Sequence, residues 1–400
     1  MKNIFLFLIL FPPFLTFAQE TKEITVLVYI SARNNLALET LKDLDEMEKA
    51  GSDERINVIA EINRIKGEPV FNPFSSVQET LPKENDWTGA RRIFVKKDLE
   101  IGKINSDILS HEENIDGGDA KRLSDFIKWG KKNFPAKKYF LIAGGHGSGW
   151  RGVKPSDKGI AYDEVSKNHI SPKELGDALR NAGGVDVYAA DACLMQTIEV
   201  LYELRGAAKY AVGSQESVPG EGFDYFLLLK ELSKSRAESR AMADAAVNSY
   251  VQSHFENNRR SITFSIIDLD FSEEALIKID YLAKSILSDQ SDIKLYSENR
   301  FSLRNFEDED ARDLYQTALM YAKNSKNYKT QQAAKDLLVF LAQKFIVRNE
   351  AKGYKSADAW GVSIYFPFYY LNYSQKYENL TFSKLSSWDE MIKSSVFASK

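Results

Sequence analysis

Two side chains of this sequence suit nucleophilic chemistry, and both come just after strand-like runs. Cys193 is the only cysteine among the 400 residues and follows the apolar run Val185–Ala190. His146 follows the run Lys138–Ala143 and lies inside the glycine-rich sequence GGHGSG. A thiol attacks as its thiolate, and a neighbouring imidazole can take the proton and return it to a leaving amine. The pair therefore predicts nucleophilic acyl transfer at one shared site.

Acyl transfer also requires N–H groups that stabilise the oxyanion of the tetrahedral intermediate. The sequence predicts a helix from Leu194 to Leu204, which would leave the Cys193 N–H unpaired at the helix start. Gly147 has no side chain, so its N–H can approach a substrate carbonyl closely. We expect the N–H groups of Gly147 and Cys193 to form the oxyanion hole.

Each motif also has a simpler explanation. A single cysteine in an apolar run is most often a core residue, and the glycine-rich run could bind phosphate, although it lacks both common phosphate-binding patterns. His111, His169 and His254 follow no strand and glycine turn, and the spacing of histidines and cysteine matches no zinc site. An inert buried thiol and a reactive thiol both remain open for Cys193, and the matching position of His146 favours the reactive one.

The elements that must position both residues indicate an α/β fold. Strand-like runs alternate with helical patterns, an order typical of a mostly parallel sheet with helices on both faces. The carboxyl ends of parallel strands share one edge of the sheet, where ligands usually bind. The predicted strands are residues 24–31, 56–62, 90–96, 138–143, 185–190, 210–214, 261–269 and 360–367. The predicted helices are one capped by Asn34 or Asn35, one capped within Asp116–Asp119, and 172–182, 194–204, 236–255, 273–287, 308–322 and 331–347.

Three segments are predicted along the chain. Residues 1–19 carry a lysine, a short apolar stretch broken by two prolines and a small-x-small site, which favours a cleaved signal peptide over a membrane anchor. Residues 20–270 are expected to form the α/β domain. Residues 271–400 are expected to be mainly helical and to return one strand, 360–367, to the main sheet.

The charge and cysteine content limit the possible partners. The net charge is −4, which offers no basic patch or stripe of the kind that nucleic acid requires. A single cysteine cannot form an internal disulfide bond. We expect a secreted or periplasmic monomer without a nucleic-acid partner and without membrane attachment after signal cleavage.

The two motifs resemble those of a known family. HGSGW after one strand and DACLM after another are similar to the clostripain family of cysteine peptidases, which belongs to the caspase-like clan. The separation of 47 residues between positions 146 and 193 is also typical of caspase-type enzymes. The resemblance continues in VLVYISARNNLA, DFIKWGKKNFPAKKYFLI, GSQESVPGEGFDY and GVSIYFP, and thus spans most of the chain.

The resemblance implies a caspase-like fold and an endopeptidase that cleaves after Arg or Lys, with His146 and Cys193 as the catalytic dyad. It also implies Asp191 as the floor of the primary specificity pocket, since a carboxylate pairs well with a guanidinium or ammonium group. Asp191 could instead cap the helix expected near Cys193, and the two roles can coexist. Glu221 and Asp224 are expected as further acids of the pocket, the alternative being solvated loop residues.

Family members can depend on calcium and can cut themselves between the histidine and the cysteine. The turn-rich sequence VKPSDKG lies in that segment, and because Lys154 precedes a proline, we expect cleavage after Lys158 or Arg151. The chemistry needs no cofactor, and no calcium loop of the D-x-D-x-D-G type is present, so calcium is implied by the resemblance alone. A self-cut, two-chain form of the protein is therefore expected as an alternative to the intact chain.

Two functions of other kinds remain open on the sequence. The first is a catalytically silent binding protein on the same fold. The second is a different Cys–His acyl-transfer enzyme, such as an amidase or a transpeptidase.

Overall fold

The structure is a computed structural model and describes residues 21–66, 87–151 and 159–397. The predicted signal peptide at residues 1–19 and the expected cleavage site at Lys158 lie outside these ranges. Within the described ranges, every helix is too short or too polar to cross a membrane.

A nine-stranded sheet forms the centre of the fold. The strands within the described residues are β1 (Lys22–Ala32), β2 (Ile56–Arg64), β3 (Gly89–Phe94), β4 (Asp107–Glu112), β5 (Ala136–Gly145), β6 (Ile160–Asp163), β7 (Asn168–Ile170), β8 (Val185–Asp191), β9 (Ala208–Gly213), β10 (Ile262–Asp268), β11 (Ala311–Asp313), β12 (Ile346–Lys352) and β13 (Ser363–Tyr365). The main sheet has the order β12-β10-β9-β8-β5-β1-β2-β3-β4, and the remaining strands form the pairs β6-β7 and β11-β13.

The five central strands are parallel, so their carboxyl ends lie at the same edge of the sheet. β1 pairs in parallel with β2 and β5, β5 with β8, and β8 with β9, whereas β3, β4 and β10 are antiparallel to their neighbours. In register, Ser31 lies opposite Gly145, and Gly144 lies opposite Asp191. β1, β5 and β8 therefore end side by side at one edge.

Helices cover both faces of the sheet. The helices are α1 (Glu39–Ala50), α2 (Ala120–Asn133), α3 (Pro172–Asn181), α4 (Ile198–Glu203), α5 (Tyr225–Leu232), α6 (Ser239–Tyr250), α7 (Ser272–Leu287), α8 (Gln290–Asn299), α9 (Leu314–Asn324), α10 (Tyr328–Phe340), α11 (Thr381–Leu385) and α12 (Trp388–Phe397). Alternate residues of β1 point into two separate cores: Val26 and Val28 pack with α1, α5 and α6, and Leu27 and Tyr29 pack with the remaining helical layer. Burial on both faces explains why these strands read as continuous apolar runs.

The C-terminal region departs from the expected topology. Its contribution to the main sheet is β12, which pairs with β10, whereas the expected strand at 360–367 becomes β13 and pairs with β11. β12 is half-buried along its whole length and so lacks an apolar pattern, while β13 is apolar because it is fully buried. One hydrophobic cluster contains residues from both sides of position 270, from Leu27 to Val396. The two predicted segments therefore share a core, and the domain boundary near residue 270 stays a prediction.

Candidate active site

The turns that carry His146 and Cys193 are in contact at the common edge of β5 and β8. A Cβ atom placed on Gly147 would lie 2.7 Å from the Cys193 carbonyl oxygen and 3.1 Å from the Cys193 nitrogen. Only a glycine fits this approach, because any side chain would push the two turns apart. The structure thus brings the two predicted motifs together.

The segment after β8 is a turn, and the helix predicted from Leu194 is wrong at its start. α4 begins at Ile198, where the Thr197 side chain accepts a hydrogen bond from the Val200 N–H at 3.3 Å. Leu194 has φ +61°, a left-handed conformation that a leucine adopts only at a cost. The Thr–Ile–Glu sequence could have shown the later start, since threonine is a common N-cap. The alternative role of Asp191 as a helix cap near Cys193 is therefore wrong as well.

Neither the Gly147 N–H nor the Cys193 N–H has a protein acceptor within the described residues. Gly147 forms an isolated bridge with Ile160, but the hydrogen bonds on either side of it are donated by Ser148 and Ala161. The Cys193 N–H is thus unpaired because of the turn, not because of a helix start.

The Cys193 thiol is half-buried and lies against the turn at residues 217–218. The Val218 N–H donates to Sγ at 3.2 Å, and the thiol faces the Val218 carbonyl oxygen at 3.7 Å. Burial raises the pKa of the thiol, and the charges of Asp191 and Glu307 add to this, while hydrogen bonds from Val218 and Ser217 oppose it. The thiol is therefore mainly protonated at neutral pH and needs a base to become nucleophilic.

The His146 imidazole is half-exposed at the end of β5. Its Nε2 lies 2.6 Å from Oδ1 of Asn35, in the loop after β1. Within the described structure, the hydrogen bonds of the Cys193 sulfur go to residues 217 and 218 and not to His146. Catalytic hydrogen bonds are often long in unliganded enzymes and tighten when substrate binds. The sequence predicts Asn35 only as a possible helix cap, but α1 begins later, at Glu39.

Asp191 lies at the end of β8 and is held by the loop that precedes α5. Its carboxylate accepts hydrogen bonds from the Phe223 N–H at 3.1 and 3.3 Å and from the Tyr225 hydroxyl at 2.9 Å. Burial raises the pKa of Asp191 to about 6, although these hydrogen bonds lower it. The carboxylate is thus ionised at neutral pH at a cost that a bound cation would offset.

Two acids of α1, Asp43 and Glu46, lie in the same acidic region as Asp191, and burial favours their neutral forms. Burial raises the pKa of Asp43 well above its usual value, and the charges of Asp191 and Glu46 raise it further. Burial and the charge of Asp224 raise the pKa of Glu46 to about 7, and Glu46 accepts from the Tyr225 N–H at 3.1 Å. Several partly desolvated carboxyl groups that lie close together favour binding of a positive side chain over a neutral or negative one.

The two further acids expected in this pocket already have partners in the chain. Glu221 pairs with Arg260 through two hydrogen bonds of 2.9 and 3.0 Å, which lower the pKa of Glu221 to about 2. Asp224 caps α5 by accepting from the Leu227 N–H at 2.9 Å. His254, which follows no strand and glycine turn, is buried, and its Nε2 lies 2.7 Å from the Gly222 carbonyl oxygen.

The described residues contain no evident binding site for calcium. These ranges contain no group of three or more His, Cys, Asp or Glu side chains with the geometry to hold a metal ion.

The comparison with known proteins settles the relationship. A sequence model of the clostripain family matches residues 28–394. The chain belongs to the clostripain family. The resemblance inferred from the two motifs is therefore confirmed, and it is a resemblance to a family of cysteine peptidases.

Individual relatives give the same answer for this clostripain-family chain. Clostripain of Hathewaya histolytica is 31% identical over 225 residues, which are 52% of this chain and 41% of that protein. The alignment therefore spans less than half of the length of that relative.

Solved structures confirm the fold class, a mostly parallel α/β sheet with a helical C-terminal region. A secreted C11 cysteine protease from Bacteroides thetaiotaomicron, solved with an irreversible peptide inhibitor, has a TM-score of 0.67 at 19% identity and covers 92% of this chain and 99% of its own. An inactive zymogen C11 protease from Parabacteroides distasonis has a TM-score of 0.66 at 19% identity, with the same coverage.

Proposed function

We propose that this clostripain-family chain is a cysteine endopeptidase that hydrolyses peptide bonds after Arg or Lys, with Cys193 as nucleophile and His146 as general base. The observation that carries the proposal is the contact of Gly147 with the Cys193 backbone, which joins the histidine turn to the only cysteine of the chain. A member of a cysteine peptidase family needs a thiol, and Cys193 is the one thiol available.

The chemistry follows from the groups at this edge. His146 takes the Cys193 proton as the sulfur attacks the scissile carbonyl carbon, and it then gives that proton to the leaving amine. The acyl-enzyme that remains is hydrolysed by water, which His146 deprotonates. The unpaired N–H groups of Gly147 and Cys193 are the donors to the oxyanion in both steps.

Asp191 is the proposed reader of the basic side chain before the cut bond. Its support is the buried position of the carboxylate, which the Phe223 N–H and the Tyr225 hydroxyl hold through hydrogen bonds. The charge of Asp191 also raises the pKa of the neighbouring acid Asp43, so a bound cation would relieve the repulsion between them. Glu221 and Asp224 remain weaker candidates, because each already has a partner in the chain.

The experiment that tests this function is a panel of four fluorogenic peptides that end in Arg, Lys, Asp or Leu before the scissile amide. Purified protein and its Cys193→Ala variant would be compared with and without calcium. The proposal requires cleavage after Arg or Lys that the variant lacks. Cleavage without preference for a basic residue would favour an amidase or transpeptidase, and no cleavage by folded protein would favour a binding protein.

Gly222 provides a local test of the pocket. It has φ +59°, and an added Cβ would lie 2.6 Å from both carboxylate oxygens of Asp191. We expect Gly222→Ala to lower kcat/KM for Arg and Lys peptides about tenfold or more, because strain of this kind costs about 1–3 kcal/mol. Gly220→Ala is the matched control, since nothing lies within 4 Å of its added Cβ. Equal kinetics for the two variants would argue against a pocket at Asp191.

Secretion and the monomeric state belong to the same proposal. The N-terminal leader pattern supports export, and the Bacteroides relative is described as secreted. The proposed partners are protein or peptide substrates with a basic residue before the cut bond. Neither nucleic acid nor a membrane is among them.

Self-cleavage between the two motifs is proposed at Lys158 in preference to Arg151. The Arg151 guanidinium is paired with Asp310, lies 3.6 Å from Asp308 and sits 5.6 Å from the Tyr365 ring centre. Cleavage after Arg151 would require these contacts to break first. We expect N-terminal sequencing of the active protein to show a second terminus at Gly159, while Cys193→Ala stays intact. An active preparation with an uncut chain would contradict this expectation.

A further inference from the structure

We propose that Asn35 is a positioning residue that fixes the tautomer of His146, so that Nδ1 is the nitrogen that takes the Cys193 proton. The inference rests on the proposed function for its kinetic consequences, but not for its structural ones. Its basis is the distance of 2.6 Å between Asn35 Oδ1 and His146 Nε2. The two residues are 111 positions apart in the chain, so the fold alone brings them together.

The chemistry of the amide oxygen assigns the proton. A carbonyl oxygen only accepts hydrogen bonds, so the nitrogen that faces it must carry the hydrogen. In a neutral imidazole the other nitrogen then holds the lone pair and acts as the base. His146 Nε2 therefore stays protonated throughout the cycle, and Nδ1 gains and loses the proton. When the ring becomes an imidazolium, the same oxygen faces a positive N–H and stabilises it.

The loop that carries Asn35 is fixed on both sides of the contact. Arg33 Nε lies 2.8 Å from Asp163 Oδ2 in an ion pair whose side chains are 7% and 0% exposed. Asn34 Nδ2 donates to the Tyr162 carbonyl oxygen at 2.8 Å. Three consecutive residues, Arg33 to Asn35, thus reach from the end of β1 toward β6 and the histidine turn.

The turn that carries His146 is attached to β6 and to the residue just before it. The Ala161 N–H donates to the His146 carbonyl oxygen at 3.1 Å, and the Ser148 N–H donates to the Gly159 carbonyl oxygen at 3.0 Å. β6 therefore fastens both partners of the contact, since Tyr162 and Asp163 hold the asparagine loop. A surface asparagine held in this way is pre-organised, whereas an unattached one would lose rotamer freedom on each contact.

Helix capping, the role that the sequence suggested for Asn35, is not what the structure shows. α1 begins at Glu39, the N-cap position is Leu38, and no side chain caps the helix there. The Asn34 side chain accepts from the Leu36 N–H at 2.9 Å and so accounts for the local turn. Asn35 is left with the contact to His146 as its described interaction.

The test is nitrogen NMR of the histidine rings in full-length Cys193→Ala protein, which cannot cut itself by the proposed mechanism. The chain has four histidines, so the His146 signals can be assigned with a His146→Ala reference. We expect the Nε2–H tautomer in this background and a mixture of tautomers after Asn35→Ala. Asn35→Asp should keep the tautomer and raise the His146 pKa by about one unit, because a carboxylate stabilises the imidazolium.

Kinetics supply the second readout, in protein that retains Cys193. Asn35→Ala is expected to lower kcat for an Arg peptide about 10- to 100-fold, by analogy with the loss seen for hydrogen-bond partners that orient metal-binding histidines, with little change in KM. Asn35→Asp should restore most of kcat and move the histidine limb of the pH–rate profile upward. Asn133→Ala is the control, because Asn133 binds the Trp129 carbonyl oxygen at the far end of α2, beside the opposite edge of the sheet.

The outcomes separate the two proposals. If the tautomer and pKa of His146 are the same with Asn35→Ala as with Asn133→Ala, the role of Asn35 is disproved, whatever the enzyme cleaves. If the NMR results hold but no peptide is cleaved in a Cys193-dependent way, the proposed function fails and the positioning contact stands. Equal kcat for Asn35→Ala and Asn35→Asp would also overturn the inference, since rescue by the acid is required.

Discussion

Cys193→Ala is expected to lower peptide cleavage after Arg or Lys by about 10⁴-fold or more, the scale seen when a catalytic nucleophile is removed. No other cysteine can take over, because the chain has only one. Steady-state rates with the Arg and Lys fluorogenic peptides measure the loss, and the thermal unfolding midpoint checks that the variant is folded.

His146→Ala serves as the matched control for the nucleophile. It leaves the thiol in place, so the protein should still react with iodoacetamide, but slowly near neutral pH because burial raises the thiol pKa. Wild-type protein should react faster at the same pH.

Peptide cleavage by Cys193→Ala at the wild-type rate would contradict the role of Cys193. It would mean that another group, or a contaminating enzyme, performs the reaction.

Asp191→Asn is expected to lower kcat/KM for Arg and Lys peptides a hundredfold or more, with little effect on thiol alkylation. Loss of one partner from a desolvated charge pair costs about 3–5 kcal/mol, which corresponds to this factor. Asparagine keeps an oxygen for the Phe223 N–H and so preserves the shape of the loop. A peptide with Leu before the cut bond is the internal control and should lose far less.

The pH dependence gives the same prediction a second signature. Because the pKa of Asp191 is raised to about 6, the carboxylate of the free enzyme is ionised above that pH and protonated below it. Selectivity for Arg over Leu, measured as a ratio of kcat/KM values, should therefore fall as the pH drops through about 6. A bound cation lowers the pKa, so the corresponding change in kcat should lie at lower pH. Asp191→Asn should show neither pH-dependent change. A selectivity ratio that still falls through about pH 6 in the variant, as in the wild type, would contradict the role of Asp191.

The sequence was sufficient for the parts of the fold that burial dictates. β1, β2, β5, β8 and β9 are covered on both faces, so their apolar runs were visible, and the parallel order placed two strand ends at one edge. His146 and Cys193 could be paired on that basis. β12 and β4 could not be found, because half-buried or exposed edge strands carry no apolar pattern.

The finer parts of the site depend on contacts between distant segments. Asn35 meets His146 across 111 positions, and its residue type resembles any helix cap. Gly222 looks like an ordinary loop glycine until its distance from the Asp191 carboxylate is known. Glu221 read as a free acid because its partner Arg260 lies 39 positions away. Such pairs leave no local spacing that a single sequence reveals.

The measurement that tests the central claim most directly is the intact mass of the protein after reaction with a peptide chloromethyl ketone that ends in lysine. A nucleophilic cysteine beside a basic-residue pocket predicts a single adduct, located at Cys193 by fragmentation and absent from Cys193→Ala. The same reagent ending in aspartate or leucine should react far more slowly, and Asp191→Asn should erase the difference. Absence of an adduct, or equal adduct formation with all three reagents, would contradict the account.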